Sequence, residues 1–215
     1  MPNADFFAAL GFYARRGFLD SATCSRLRAE ARQAPTSPAT VRADDRSYDV
    51  DRATRSTDWA EVAPESAGLV EDRLTALVPE VGRHYGMLLG GLQPLQFLVY
   101  GPGDFFQRHR DSRDEDDAPA FSRNRRVAAV IFLNAEGDPT TSDAYQGGAL
   151  TFYGLFDEAR SEAVGFPLEA EEGLLMTFPA QVMHEVQPVE AGQRYTVVTW
   201  FVDESAEGTA AEGDR

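Results

Sequence analysis

A mainly β architecture preceded by helices is the fold class this sequence predicts, and three observations carry the prediction. From Pro94 onward, apolar stretches at 95–100, 105–110, 126–134, 149–153, 173–178 and 194–203 are separated by turn residues. In the last of these, Val198 and Trp200 share one face while Tyr195, Val197 and Phe201 share the other, so the strand is apolar on both sides and buried between two layers. Before Pro94 the apolar spacing is helical instead. Short β segments at this density form a sandwich or a jelly roll, including the cupin-like type, with the helices buttressing one sheet.

The helical half begins at residues 4–14 and resumes after Asp20-Ser21, either of which can cap a helix running to Ala34. Residues 35–64 are rich in Pro, Ser, Thr and Asp and read as a loop with one or two short strands. Across 65–89, Leu69, Val70, Leu74, Leu77, Val78, Val81, Tyr85 and Leu88 recur at spacings of three and four, one face of a helix that Pro79 bends or divides. The chain reads as one domain over 1–203, with 1–93 a helical support and 94–203 the core. The acidic stretch 204–215 reads as a disordered tail.

A chain of 215 residues with 43% hydrophobic content can bury one sizeable core. Its net charge of −15 argues against a surface that tracks nucleic-acid phosphates. All 20 basic residues are Arg, so any anion held by a cationic side chain is held by Arg. Cys24 is the only cysteine; it cannot form an internal disulfide and reads as a small core residue. No apolar run approaches the roughly 18 residues of a membrane helix, and no secretory leader is evident, so a soluble, cytoplasmic protein without a membrane partner is expected.

Three histidines are present. His84 lies on the helical stretch away from other candidate ligands and reads as a half-buried surface histidine. His109-Arg110-Asp111 is the only His-x-Asp, and on a strand both side chains leave the same face. His184 follows 75 residues later (184 − 109), just after an apolar strand. Two histidines and a carboxylate can occupy one face of an octahedral ferrous ion and leave three positions open. Such a tripeptide alone also arises in loops with no metal.

Arg194, 10 residues beyond His184 (194 − 184), adds specificity. A buried Arg there needs a carboxylate, which its fork pairs through charge-assisted bonds worth ~1.5–3 kcal/mol each. Thr196 shares its face and can donate to the same anion. A structural ion pair with one of the 35 acidic residues is the alternative for Arg194.

Six pieces resemble the prolyl-hydroxylase branch of the 2-oxoglutarate oxygenases in order and spacing: Tyr100-Gly101-Pro102-Gly103, His109-Arg110-Asp111, Phe132-Leu133-Asn134, Gly147-Gly148-Ala149-Leu150, His184-Glu185-Val186-Gln187-Pro188-Val189, and Gly192-Gln193-Arg194-Tyr195 with Trp200. The resemblance implies a double-stranded β-helix, with iron on His109, Asp111 and His184. It further implies that Arg194 holds the distal carboxylate of 2-oxoglutarate while Tyr100 lines that pocket. Fe(II), 2-oxoglutarate and O2 are the implied cofactors, with ascorbate a candidate accessory.

Three departures stand out. Collagen-type enzymes use Lys where this Lys-free chain has Arg194, as oxygen-sensor and bacterial types do. The Tyr that precedes Leu-Asn in oxygen sensors is Phe132, which lacks the hydroxyl, with Thr196 a candidate replacement. The Glu after Gly-Gly is Ala149. A carboxylate at Asp111, where related halogenases carry a small residue, favours hydroxylation.

The implied activity is hydroxylation of an aliphatic C–H bond in a prolyl or similar residue of a peptide or protein. A free amino acid or natural-product scaffold is the alternative substrate. From another class, a non-catalytic jelly-roll binding module is disfavoured by the intact ligand set with Arg194. The charged stretch 111–126 either contacts substrate or is a solvated loop.

Overall fold

The computed structural model describes residues 1–42, 48–112, 120–140, 143–156 and 163–203. In chain order its early strands are β1 (Tyr13–Arg15), β2 (Thr36–Pro38), β3 (Val41–Arg42), β4 (Tyr48–Asp49), β5 (Arg55–Ser56), β6 (Asp58–Ala60), β7 (Leu89–Leu92), β8 (Gln96–Tyr100) and β9 (Phe105–His109). There follow β10 (Arg125–Phe132), β11 (Tyr145–Gly147), β12 (Leu150–Tyr153), β13 (Phe166–Pro167), β14 (Leu175–Pro179), β15 (Met183–Val186), β16 (Val189–Gly192) and β17 (Arg194–Asp203). The helices are α1 (Ala4–Ala9), α2 (Ser21–Gln33), α3 (Pro64–Thr75), α4 (Val78–Tyr85) and the single turn α5 (Ala120–Arg123).

The expected double-stranded β-helix is formed by two sheets facing across one interior. The larger runs β1-β14-β10-β17-β8-β6-β2, with β7 also on β17, and the smaller runs β13-β12-β15-β9-β5. Neighbours are antiparallel, and the ribbon β11-β16 lies beside them.

Alternation along the central strands sets two cores. On β10, Ala128, Val130 and Phe132 face the interior with Trp200 and Val198 of β17, Phe152 and Phe178. Val127, Ala129 and Ile131 face outward with Tyr195, Val197 and Phe201, where they meet Cys24, Leu27 and Ala31 of α2, Val70 and Leu74 of α3, and Val81 of α4. These central strands are therefore buried on both sides. Cys24 is the small core residue expected, its thiol pushed up to about 11 chiefly by burial.

Several boundaries differ for identifiable reasons. The first helix stops at Ala9, short of residue 14, because Gly11 takes φ +89° and turns the chain into β1. Rather than buttressing a sheet, α1 closes one end of the interior: Phe7 lies 5.1 Å from the Phe152 ring and 5.7 Å from that of Phe12. Asp20 caps α2 by accepting from the Thr23 N–H at 2.7 Å. Among its described residues, the stretch 35–64 holds five short strands rather than one or two.

The long amphipathic segment divides at Ala76-Leu77, with Pro79 tolerated in the first turn of α4. Gly86 ends that helix in the left-handed conformation, so Leu88 lies beyond it and is 76% exposed. Residues 113–119 of the charged loop and the 204–215 tail lie outside the described residues. No helix among the described residues is long and apolar enough to cross a membrane.

Leu74 is fully buried between α3 and the outer face of the larger sheet. Leu74→Ala is expected to cost about 2–5 kcal/mol, read from the urea midpoint, as lost transfer energy plus the cavity left behind. A loss below about 1 kcal/mol would mean that the helices do not depend on this contact.

Candidate metal centre

The smaller sheet aims the candidate ligands. Strands β9 and β15 pair with His109 opposite His184 and Phe106 opposite Val186, so the step from 106 to 109 on one strand matches the step from 184 to 186 on the other. That bulge puts Phe106 and His109 on the same inward face, and their rings stack at 3.6 Å. Arg108 points outward over the Tyr153 ring, 3.5 Å away. Next along the sheet, Phe152 of β12 stands opposite His184.

Asp111 reaches the same place by a route that strand alternation does not describe, because β9 ends at His109. The chain bends instead, and the Ala180 carbonyl accepts from the N–H groups of both Asp111 and Ser112, at 2.9 and 3.0 Å. This contact holds the carboxylate beside the turn that leads into β15.

His109, Asp111 and His184 bring ligand atoms within 4.8 Å of one another. His109 Nε2 is 3.5 Å from Asp111 Oδ1, and His184 Nε2 is 3.6 Å from Oδ2. Both Nδ1 atoms sit at backbone carbonyls, that of Gln107 at 2.7 Å and that of Val182 at 2.9 Å. A carbonyl only accepts, so each Nδ1 carries the proton and each Nε2 presents a lone pair towards Asp111. Three electron-rich groups thus converge with no donor between them, the donor set of a two-histidine, one-carboxylate metal site.

Protonation follows the same logic. Burial, then the neighbouring His109, lowers His184 to about 4. Burial alone would raise the Asp111 carboxyl, but once the imidazoles of His184 and His109 carry a second proton, their charge, with that of Arg125, holds it well below the usual carboxylate range, so acid reaches the imidazoles before the carboxylate. His84 stands apart: it is exposed rather than half-buried, its Nε2 lies 2.9 Å from the Gly11 carbonyl, and no other candidate ligand among the described residues joins it.

The larger sheet supplies a cation. Arg194 opens β17 opposite Tyr100 of β8, and Thr196 points to the same interior. Arg194 is 1% exposed. Its Nη1 donates to Thr196 Oγ1 at 3.4 Å, its Nε has no partner, and among the described residues no carboxylate pairs with it. The rings of Tyr100 and Phe132 lie 5.1 and 5.3 Å from the guanidinium carbon. The structural ion pair considered for Arg194 is therefore not formed among these residues, and a buried guanidinium is left without its counter-charge.

Residues 95–202 match the family model described as the 2OG-Fe(II) oxygenase superfamily. The chain belongs to this superfamily. A PKHD-type hydroxylase of Synechococcus elongatus is 36% identical over 110 residues, which cover 49% of this chain and 41% of that relative. One of Klebsiella pneumoniae is 29% identical over 105 residues. The matched region thus spans about two fifths of the length of these curated relatives.

Among solved structures, a Pseudomonas putida prolyl-4-hydroxylase superposes with TM-score 0.68 at 25% identity, covering 93% of this chain and 96% of that one. A Trichoplax adhaerens prolyl hydroxylase in complex with a hypoxia inducible factor peptide shares the fold at TM-score 0.70 and 18% identity, covering 97% of this chain and 90% of that one. As a superfamily member, the chain is expected to use Fe(II), 2-oxoglutarate and O2.

Three residues at this site were not singled out by the sequence pattern. Phe106, on which His109 stacks, is hidden because the bulge breaks period-two alternation. Tyr145 lies beside Arg194 in a three-residue strand too short to read, although its place just before Gly147-Gly148 was a usable signal. Arg125 stacks 3.5 Å over Trp200 and extends Nη1 to the Asp111 carbonyl at 3.5 Å.

A pH dependence follows from the low His184 value. The unfolded chain protonates this histidine as pH falls through 6.5, whereas the folded protein resists until about 4, so its contribution opposes folding increasingly across that window. The melting temperature of chelator-treated protein should therefore fall over this range more steeply for wild type than for His184→Asn. Equal slopes would rule out a buried neutral His184.

Proposed function

We propose that the chain is an Fe(II)- and 2-oxoglutarate-dependent dioxygenase that hydroxylates an aliphatic C–H bond of a prolyl or similar residue in a peptide or protein. The observation that carries this reading is the buried Arg194, which lacks an anionic partner among the described residues and lies against Tyr100 and Phe132, members of the same interior cluster as the Phe178 that packs on His184. Arg194 needs an anion and the group of His109, Asp111 and His184 a cation, and a chelated ion bearing a dicarboxylate meets both needs.

In this reading His109 and His184 bind iron through Nε2 and Asp111 through its carboxylate, while the Gln107 and Val182 carbonyls fix the imidazole tautomers. Arg194 and Thr196 hold the far carboxylate of 2-oxoglutarate, and Tyr100 walls the pocket. The bound group would supply oxidative decarboxylation to succinate and CO2 coupled to insertion of one oxygen atom into a C–H bond. Phe106, Phe152 and Phe178 line the interior around the histidines and exclude water. Arg125, stacked over Trp200, donates to Gln93 and to the Asp111 carbonyl and so ties the segment that carries Asp111 to the larger sheet. The chain's likeness to PKHD-type hydroxylases and to the Pseudomonas putida prolyl-4-hydroxylase supports the substrate class.

The test is Fe(II)-dependent succinate formation from 2-oxoglutarate, with mass detection of one added oxygen on prolyl peptides and on free proline. Turnover should be lost in His109→Ala and His184→Ala. Arg194→Met should weaken 2-oxoglutarate binding roughly a hundredfold or more, the worth of two charge-assisted hydrogen bonds. Ferrous binding or turnover that survives in both histidine variants refutes the ligand assignment. Oxygen added to free proline but never to peptides reassigns the substrate.

A further inference from the structure

We propose that the Tyr145 hydroxyl is a further donor to the far carboxylate of 2-oxoglutarate, standing in for the phenol that Phe132 lacks. The inference rests on the cosubstrate reading above and concerns a residue which that reading does not use.

Placement is the first ground. Tyr145 is 1% exposed and belongs to the interior cluster with Tyr100 and Phe132, so its ring is turned to the interior rather than to solvent. Gly148 locates it relative to Arg194: a Cβ built on that glycine would lie 3.1 Å from Arg194 Cδ and 3.5 Å from Tyr145 Cε2. The guanidinium stem and the phenol ring therefore flank the same small gap. Phe132 and Tyr100 approach the guanidinium as well. Of the three rings around Arg194, Phe132 is the one without a hydroxyl.

Preorganisation is the second ground. Tyr145 pairs with Gly192, two residues before Arg194. A Cβ on Gly192 would come 2.6 Å from the Ala144 carbonyl, so only glycine permits this approach. From the other side, Asn134 Nδ2 donates to the carbonyls of Asp143 and Gln193, both at 2.7 Å, and Asn134 Oδ1 accepts from the Tyr195 N–H at 3.0 Å. One buried amide thus joins the segment entering Tyr145 to the segment entering Arg194. The phenol is delivered by backbone that is already hydrogen-bonded.

The need for a donor is the third ground. A carboxylate has about four acceptor directions, and a bidentate Arg fills two of them. In a pocket closed to water the remaining lone pairs require hydroxyl donors. Thr196 accepts from Arg194 and so retains its proton to give. Burial raises the Tyr145 phenol, which keeps it protonated and a donor near neutral pH.

The experiment is an anaerobic titration of Mn(II)-loaded protein with 2-oxoglutarate and, separately, with oxalate, which chelates the ion but has no far carboxylate. Tyr145→Phe removes one oxygen and keeps the ring. It should weaken 2-oxoglutarate roughly ten- to a hundredfold, the worth of one hydrogen bond to a charged group, and leave oxalate unchanged. The double variant Phe132→Tyr/Tyr145→Phe should recover most of the loss, a rescue that a purely structural tyrosine would not allow. Unchanged 2-oxoglutarate affinity in Tyr145→Phe overturns the proposal, as does equal loss for both ligands. If wild type binds oxalate but no 2-oxoglutarate, it is the cosubstrate reading itself that fails.

Discussion

One cross-strand pairing organises this protein: His109 of β9 opposite His184 of β15, held in register by a bulge. A one-residue slip would send either imidazole to the outer face of the smaller sheet and dissolve the cluster. The bulge breaks period-two alternation on β9. It turns Phe106 inward so that the His109 ring stacks on it, and it ends β9 in time for the chain to bend Asp111 onto the Ala180 carbonyl. Burial on both faces of the larger sheet makes the frame around this pairing rigid.

Within that frame the interior is electrically incomplete. Asp111 is an ionised carboxylate facing two imidazole lone pairs, and Arg194 is a guanidinium whose only neighbours among the described residues are hydroxyls and aromatic rings. Folding therefore tolerates two charged groups of opposite sign without pairing them to each other. Such a cost is characteristic of a site built for ligands, because each ligand that binds relieves it. A dication at the first group and a dianion reaching from it to the second would neutralise both.

Asn134 shows how a polar core residue can support such a site through backbone alone. Its side chain meets two carbonyls and one N–H from segments that are distant in sequence, and so fixes the spacing between Tyr145 and Arg194. A substitution there would leave several buried backbone groups unsatisfied and loosen the surroundings of Arg194 together with the strand that carries it.

The sequence by itself determined the β-rich core, the two-faced burial of 194–203, the capped helix after Asp20 and which residues are the candidate ligands. Each depends on local periodicity, or on residue types rare enough to stand out, such as three histidines and a lone His-x-Asp. Tertiary structure alone decided the rest. Strands β11, β13, β15 and β16 span two to four residues and carry too little pattern to read locally; they exist because neighbouring strands complete their hydrogen bonds. The end of α1 at Ala9 depends on one glycine dihedral, and its role as a plug on aromatic contacts with distant strands. Asp111 came to the two histidines by a bend rather than by strand alternation, and Tyr145 came to Arg194 through Gly148, Gly192 and Asn134. Which residues can bind was written in side-chain chemistry. Where their atoms meet depended on non-local backbone hydrogen bonds that no window of sequence contains.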